Sequence, residues 1–139
     1  MANQLKILLV DDDDDDRDIF AIALKTAQPD AQLFTAQNGP ECLRKLDDGN
    51  FVPDFIFLDL NMPYMHGNKC LEEIKKRPGL KDVPVVIYTT SSNRKDAEET
   101  QKSGAANFLV KPTSLSALSQ MLEYILQGRA PGYFLESKE

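Results

Sequence analysis

The apolar residues of this chain form short, nearly continuous runs that alternate with helical patterns. The runs are rich in Val, Ile, Leu and Phe, and we interpret five of them as β-strands: residues 5–10, 31–36, 54–60, 84–90 and 106–110. The first, third and fourth runs are almost entirely apolar, which is typical of central strands covered on both faces of a parallel sheet. The pattern therefore predicts a buried parallel sheet.

Helical periodicity fills the segments between these runs. Apolar positions three or four residues apart predict four helices, around residues 19–27, 42–46, 70–74 and 115–125. A further helix is predicted over residues 93–104, where Ala97 is the only plainly apolar residue. We expect that helix to be weakly buried, and to be either a partner surface or a mobile element. In the first helix, the predicted apolar face consists of Ile19, Ile22, Ala23, Thr26 and Ala27.

The regular alternation of strands and helices predicts one doubly wound α/β domain with right-handed crossovers. We assign residues 1–139 to this domain, with a core over about residues 5–127 and a short tail at 128–139. The sequence lacks a signal-peptide pattern, and no apolar run approaches the roughly 20 residues that span a membrane. The two cysteines are too few for a disulfide framework, so we expect a cytoplasmic protein without membrane association.

Charge is concentrated near the amino terminus, where six consecutive aspartates at 11–16 follow the first strand. The net charge is −6, from 22 acidic and 16 basic residues, so removing this run would leave 16 of each. Because no basic stripe is present to neutralise phosphates, direct nucleic-acid binding is not expected. The run itself is compatible with a solvated acidic tract, with an acidic first turn of a helix, or with a metal site.

Reactive side chains follow four of the five predicted strands, and parallel strands place their carboxyl ends at one edge of the sheet. The aspartate run follows strand one, Asp59 strand three, Thr89 and Thr90 strand four, and Lys111 strand five. Carboxylates suit Mg²⁺, and a carboxylate beside such a cation can attack phosphorus while a lysine stabilises the phosphoryl charge. Each group alone is more often a turn or capping residue. Together they predict an aspartyl-phosphate site with Asp59 as the nucleophile.

These residues stand in motifs that resemble those of response-regulator receiver domains of the chemotaxis-regulator type. The motifs are LLVDDD, FLDLNMP with a following HG, VPVVIYTT and GAANFLVKP, and the match runs from about Lys6 to Leu126. The resemblance implies a flavodoxin-like (βα)5 fold whose five-stranded parallel sheet has the order 2-1-3-4-5. It also implies a stand-alone response regulator of a two-component phosphorelay. In such a protein, a histidine kinase or phosphotransfer protein phosphorylates Asp59 in an Mg²⁺-dependent reaction that switches the surface of helix four, strand five and helix five.

The resemblance also assigns roles at the metal. Asp59 is the phosphoacceptor and a metal ligand, Asp12 binds Mg²⁺ directly, and Asp11 acts mostly through water. Asn61 contributes its backbone carbonyl. A register shifted by one residue, with Asp12 and Asp13 as the acidic pair, is the competing interpretation.

The remaining roles concern the phosphoryl group and the switch. Thr89 is the switch threonine, and Lys111 binds the phosphoryl group. Thr90 follows the switch threonine at a position that usually holds a small residue, and it also binds the phosphoryl group. Phe108 holds the switch-aromatic position. The resemblance further implies a cis peptide bond between Lys111 and Pro112.

Other functions stay open at this point. A phosphatase of the haloacid dehalogenase type also uses an aspartate after an apolar strand, but it needs a second Asp two residues later, where this chain has Asn61. A non-phosphorylated adaptor would keep only the fold. A P-loop nucleotide hydrolase would need a GxxxxGK[ST] loop, which the sequence lacks.

Two further features remain. The only histidine, His66, is interpreted as a loop residue beside the site rather than as a relay group. The segment at 75–84 and the short tail loosely resemble stand-alone regulators that pair with phytochrome-type kinases, some of which dimerise. A homodimer through helices four and five is therefore a hypothesis.

Overall fold

A central parallel sheet organises the structure, a computed structural model that describes residues 4–137. Its strands are β1 (Lys6–Val10), β2 (Gln32–Ala36), β3 (Phe55–Leu58), β4 (Val85–Thr89), β5 (Asn107–Val110) and β6 (Phe134–Leu135). They lie in the order β2-β1-β3-β4-β5-β6, and every neighbouring pair is parallel. The five predicted strands and their order are confirmed, with bounds within two residues of the prediction. The sixth strand was not predicted.

Five α-helices connect the strands, as the periodicity predicted. They are α1 (Asp14–Ala27), α2 (Gly39–Asp47), α3 (Gly67–Lys75), α4 (Arg94–Lys102) and α5 (Leu115–Leu126), and a 3₁₀ turn (Pro78–Leu80) precedes β4. None of the helices described between residues 4 and 137 is long and apolar enough to cross a membrane.

The core lies on both faces of the sheet because successive strand residues point to opposite sides. One face carries Leu8, Val10, Ile56, Leu58 and Ile87 and packs on α2, α3 and α4. The other carries Ile7, Leu9, Phe57, Val86 and Tyr88 and packs on α1 and α5. Burial on both faces explains why β1, β3 and β4 read as continuous apolar runs. Cys42 and Cys70 lie buried in the first of these layers as free thiols.

The apolar face of α1 differs from the predicted one. Ile19 is 42% exposed and Ile22 is 56% exposed, so neither belongs to the core. Phe20 is fully buried instead, and its ring meets Phe57 edge to face with centroids 5.0 Å apart. Ala23 and Ala27 are buried as expected. The helix is therefore rotated so that the stripe through Phe20 faces the sheet.

The carboxyl-terminal tail forms β6 along the outer edge of β5. The Phe108 N–H donates to the Tyr133 carbonyl at 2.8 Å, and the Asn107 side-chain amide donates to the Gly132 carbonyl at 2.8 Å. The Phe134 ring stacks on Phe108, with centroids 5.5 Å and planes 12° apart. The tail, which the sequence analysis assigned to the same domain outside its core, thus pairs with the edge of the sheet and contributes the buried Leu135.

Helix α4 is thinly packed, as predicted, and it is attached partly through the tail. Its buried residues are Ala97 and Thr100. The Thr100 hydroxyl lies 2.8 Å from the Tyr133 hydroxyl, and the Arg94 guanidinium lies 3.8 Å from the centroid of the Phe134 ring. Two of the contacts that hold α4 therefore come from residues that follow it by more than 30 positions.

Candidate functional site

Backbone hydrogen bonds position the reactive residues just beyond the strands. The Asp11 N–H donates to the Ala36 carbonyl at 3.0 Å, and the Asp59 N–H donates to the Val10 carbonyl at 3.0 Å. The Lys111 N–H donates to the Thr89 carbonyl at 2.7 Å. These bonds continue the ladder of the sheet, so the side chains meet at its carboxyl edge as predicted.

Three carboxylates converge at this edge. Asp11, Asp12 and Asp59 each offer an oxygen within 4.8 Å of the other two, and Asp12 is the exposed member of the group. Oxygen donors at this spacing fit a hard divalent cation that keeps some of its waters. Asp13 has a different role, because its carboxylate accepts the Asp16 N–H at 2.9 Å and caps α1. The geometry therefore favours the register with Asp11 and Asp12 as the acidic pair.

The loop after β3 folds closely around Asp59. The Asn61 N–H points at the Asp59 carboxylate, 3.4 Å from Oδ1, and the Asn61 side chain is exposed. Gly67 begins α3 directly against this loop. A Cβ on Gly67 would lie 2.3 Å from the Asp59 carbonyl oxygen, so only glycine fits there without moving the acceptor backbone.

Lys111 provides the positive charge of the site, and it also pairs with a carboxylate that the sequence analysis did not assign to the site. Its ammonium lies 2.8 Å from the carboxylates of Asp11 and Asp16 and 3.5 Å from that of Asp59. It also lies 5.1 Å from the centroid of the Tyr88 ring. From the sequence, we interpreted the part of the aspartate run from Asp13 to Asp16 only as loop and first-turn acids. The signal that could have identified Asp16 is its position four residues before the buried Phe20, which places both on one helix face.

Burial and charge act against each other in this cluster. Burial raises the pKa of Asp59 to about 6, although Lys111 opposes the shift and the neighbouring Asp11 adds to it. Burial likewise raises the pKa of Asp11. Burial alone would lower the pKa of Lys111, but hydrogen bonds to Asp11 and Asp16 and the charge of Asp59 raise it overall. The surroundings therefore favour the charged form of Lys111, whereas burial disfavours the ionised forms of Asp59 and Asp11.

The two threonines after β4 are placed differently. Thr89 is fully buried at the strand end, and its hydroxyl accepts the Ser91 N–H at 3.2 Å. The Ser91 hydroxyl in turn donates to the Asp96 carboxylate of α4 at 2.9 Å. Thr90 is exposed. Hydrogen bonds thus connect the threonine expected to switch with α4.

Three remaining predictions concern Phe108, the proline bond and the histidine. Phe108 is fully buried, with its ring inside the domain against Phe134. No cis peptide bond occurs in residues 4–137, so the prediction of a cis Lys111–Pro112 bond is wrong for this structure. The trans form is intrinsically favoured before proline, and the Lys111 side chain reaches its carboxylates with that bond trans. His66 caps α3 by accepting the Asn68 N–H at 3.2 Å, a structural role that fits a loop residue.

Comparison with characterised proteins yields relatives that match most of the chain. It is 35% identical to the response regulator Rcp1 of Synechocystis over 124 residues, which cover 86% of this chain and 84% of Rcp1. It is 29% identical to the chemotaxis protein CheY1 of Helicobacter pylori, over 88% of this chain and 97% of CheY1.

Solved structures give the same result. The phosphorylated cyanobacterial phytochrome response regulator RcpA superposes with a TM-score of 0.81 at 32% identity, over 90% of this chain and 93% of RcpA. The Mn²⁺-bound form of Rcp1 superposes with a TM-score of 0.78 at 32% identity, over 96% of this chain and 99% of Rcp1.

The family model for the response regulator receiver domain matches residues 7–123. That range contains β2 to β5, all of β1 except its first residue, all of the converging carboxylates and Lys111. The chain therefore belongs to the response regulator receiver domain family of two-component signalling.

Proposed function

We propose that this chain is a phosphoacceptor switch, and that Asp59 receives a phosphoryl group from the phosphohistidine of a histidine kinase or phosphotransfer protein. The observation that carries the proposal is the buried Asp59 carboxylate, which lies among two further carboxylates and 3.5 Å from the Lys111 ammonium. A nucleophile toward phosphorus needs this combination of a carboxylate, a cation site and a fixed positive charge.

The residues divide the chemistry between them. An Asp59 carboxylate oxygen attacks phosphorus and the phosphorus–nitrogen bond of the phosphohistidine breaks. The electron pair of that bond stays on the ring nitrogen, and the donor leaves as neutral imidazole with the proton that its other nitrogen already carried. Lys111 balances the charge on the phosphoryl oxygens, and the Asn61 N–H is directed at the same carboxylate. Asp11, Asp12 and Asp59, with the Asn61 carbonyl, would hold Mg²⁺, which when bound neutralises the oxygens of the transferring group. The Mn²⁺-bound form of the related Rcp1 supports a divalent cation here.

We infer that the switch acts through Thr89 and Phe108. A phosphoryl group on Asp59 offers new oxygens to Thr89 and Lys111, and this difference in interaction can shift the equilibrium between two conformations. Thr89 is connected to α4 through Ser91 and Asp96. Phe108 is connected to the tail through Phe134. The surface of α4, β5 and α5, including the tail that packs on it, is therefore the proposed output.

A switch of this kind catalyses only its own phosphorylation and dephosphorylation. The alternative of a phosphatase with steady turnover is disfavoured by Asn61, which stands where that class needs a carboxylic acid. An assay with phosphomonoesters discriminates between the two, because repeated turnover per chain would support the phosphatase. Cytoplasmic location and the absence of direct nucleic-acid contact remain part of the proposal.

Phosphorylation by a small acyl phosphate with Mg²⁺ tests the proposal. We expect the intact mass of the wild-type chain to rise by one phosphoryl group, and Asp59→Asn to abolish this increase. Asp30→Asn is the matched control, because Asp30 is an exposed turn residue before β2, whereas the site lies beyond the other end of that strand. Incorporation by Asp59→Asn at the wild-type level would contradict the assignment of the acceptor.

Magnesium binding tests the metal ligands separately. We expect Asp12→Asn to weaken Mg²⁺ binding strongly, because it removes a proposed direct ligand. Asp15→Asn removes the same charge from an exposed helix position and should change the affinity little. Calorimetric titration of both variants checks this, and equal losses would show that the run acts only as a charged tract.

A homodimer through α4 and α5 remains a separate proposal. The exposed polar surface of α4 and its aromatic neighbours in the tail support an interaction there. Sedimentation with and without a phosphoryl analogue tests it, and a monomer under both conditions would contradict it.

A further inference from the structure

Three carboxylates share the single ammonium of Lys111. Its two shortest ion pairs, at 2.8 Å, are with Asp11 and Asp16, and the acceptor Asp59 is the most distant partner at 3.5 Å. An ammonium has three N–H donors, so these three carboxylates account for its donor capacity. The lysine is therefore drawn toward β1 and α1 and away from the atom that would carry the phosphoryl group.

Asp16 is held in this position by the start of α1. Its own N–H donates to the Asp13 cap at 2.9 Å, and it lies on the helix face that continues into the buried Phe20. Neighbouring Arg17 does not compete for Asp16, because it pairs with Asp14 and donates to the Asp11 carbonyl at 2.7 Å. Asp15 is exposed and forms no ion pair within residues 4–137. Only one of these adjacent acids is aimed at the lysine.

A phosphoryl group on Asp59 would need the same ammonium. Lys111 can bind its oxygens only by giving up a present partner, and Asp16 is the partner most easily released. The Asp16 side chain is 33% exposed whereas that of Asp11 is fully buried, so water can solvate the Asp16 carboxylate after release.

We propose that Asp16 is a positioning residue that retains the Lys111 ammonium in the unphosphorylated chain and competes for it with the phosphoryl group. This inference rests on the proposed function, since it concerns the same site. Because Asp16 belongs to the first turn of α1, its release also couples the phosphorylated state to that helix terminus. By linkage, a partner that binds the freed Asp16 would stabilise the phosphorylated state by the same factor by which phosphorylation raises the affinity for that partner.

Binding of beryllium fluoride in the presence of Mg²⁺, as a mimic of the phosphoryl group on an aspartate, tests the competition by calorimetry. We expect Asp16→Asn to raise the affinity about three- to tenfold, because Lys111 becomes available without loss of an ion pair. Asp15→Asn is the matched control, since it removes one negative charge a single residue away, and its effect should stay below about twofold. The affinity for Mg²⁺ alone should be the same in both variants.

A double-mutant cycle separates pairing from general charge. In a Lys111→Met background, we expect Asp16→Asn and Asp15→Asn to have equal effects, because the contested ammonium is gone. Asp16→Glu keeps the carboxylate and should bind beryllium fluoride as the wild type does. Asp16→Ser provides a second neutral variant if Asp16→Asn does not give a folded chain by circular dichroism.

The outcomes are distinct. A gain in Asp16→Asn that persists without Lys111, a gain matched by Asp15→Asn, or a loss of affinity would each overturn the role of Asp16. Failure of the wild-type chain to bind beryllium fluoride with Mg²⁺ would instead contradict the proposed phosphoacceptor function itself.

Discussion

The edge of the sheet at Asp59 and the face covered by α4 differ in how much they bury and in whether the buried groups attract or repel one another. At the edge, like charges are buried together, and burial raises the pKa of both Asp59 and Asp11. On the α4 face, little surface is buried, but the polar groups of Thr100 and Arg94 have compatible partners in the tail. The edge at Asp59 therefore combines favourable and unfavourable interactions. The α4 face has few interactions, and those described above are favourable.

This difference has a consequence for any switch built on the two regions. A ligand that neutralises the edge relieves an unfavourable interaction already present in the resting chain. A helix with two small buried residues needs little free energy to move. Substitutions in the two regions should therefore change stability in opposite directions, and the following predictions test that contrast.

The largest effect is expected from Asp59→Asn in metal-free protein. Folding raises the pKa of Asp59 from 3.8 to about 6, so this carboxyl group favours the folded state below about pH 4 and loses that contribution as pH rises through 6. The neutral amide avoids the loss. We expect the variant to be more stable than the wild type by about 2–3 kcal/mol at pH 7, with the gain disappearing near pH 4. Urea unfolding with a chelator at several pH values measures it, and a gain independent of pH would contradict it.

Phe134→Ala should act in the other direction. The change removes the stacking on Phe108 and the contact with Arg94, and we expect a loss of about 2 kcal/mol that does not depend on pH. Amide exchange should accelerate selectively in α4. Phe34→Ala is the matched control, because Phe34 pairs with Phe51 at the opposite edge of the sheet. If Phe34→Ala accelerated amide exchange in α4 to the same degree, the inference that the tail specifically stabilises α4 would be contradicted.

Thr100→Val tests the buried hydroxyl on α4. The substitution keeps the shape but leaves the Tyr133 hydroxyl without its partner at 2.8 Å, so we expect a loss of about 1 kcal/mol. In a Tyr133→Phe background the same change should cost clearly less, because both partners are then apolar. Thermal unfolding of the four chains provides the comparison, and strictly additive losses would show that the two hydroxyls are not coupled.

Arg94→Met should give the smallest effect. The guanidinium lies over the Phe134 ring at an exposed position, where such a contact contributes about 0.5–1 kcal/mol. Lys95→Met, one residue later, removes the same charge without that contact and should change stability less. Equal effects in urea unfolding would assign the loss to charge alone.

The fold and most of the site were predictable because both depend on local patterns. Continuous apolar runs identified the central strands, and the parallel order then placed Asp59, Thr89 and Lys111 at one edge. Prediction was wrong where two patterns overlapped. The face of α1 was drawn through Ile19 and Ile22, although the stripe through Phe20 is buried, and this error concealed Asp16.

The tail was not predictable for a different reason. Tyr133, Phe134 and Leu135 are apolar, but a strand of two residues carries no periodicity. Its pairing depends on the edge of β5 and on α4, which are defined only after the sheet has formed. The cis Lys111–Pro112 bond was expected only from the family resemblance, and no local pattern in the sequence supported it.

The two residues of β6 also affect how copies of this chain meet. A sheet edge presents a row of unpaired backbone groups that can template a strand from another molecule, and β5 would otherwise present the apolar sequence NFLV there. β6 pairs with Phe108 and Leu109 and leaves an edge only two residues long, followed by the charged Glu136. β6 therefore shields the edge of β5 against edge-to-edge pairing with another chain, and a proteolytic cut before Phe134 would expose that edge.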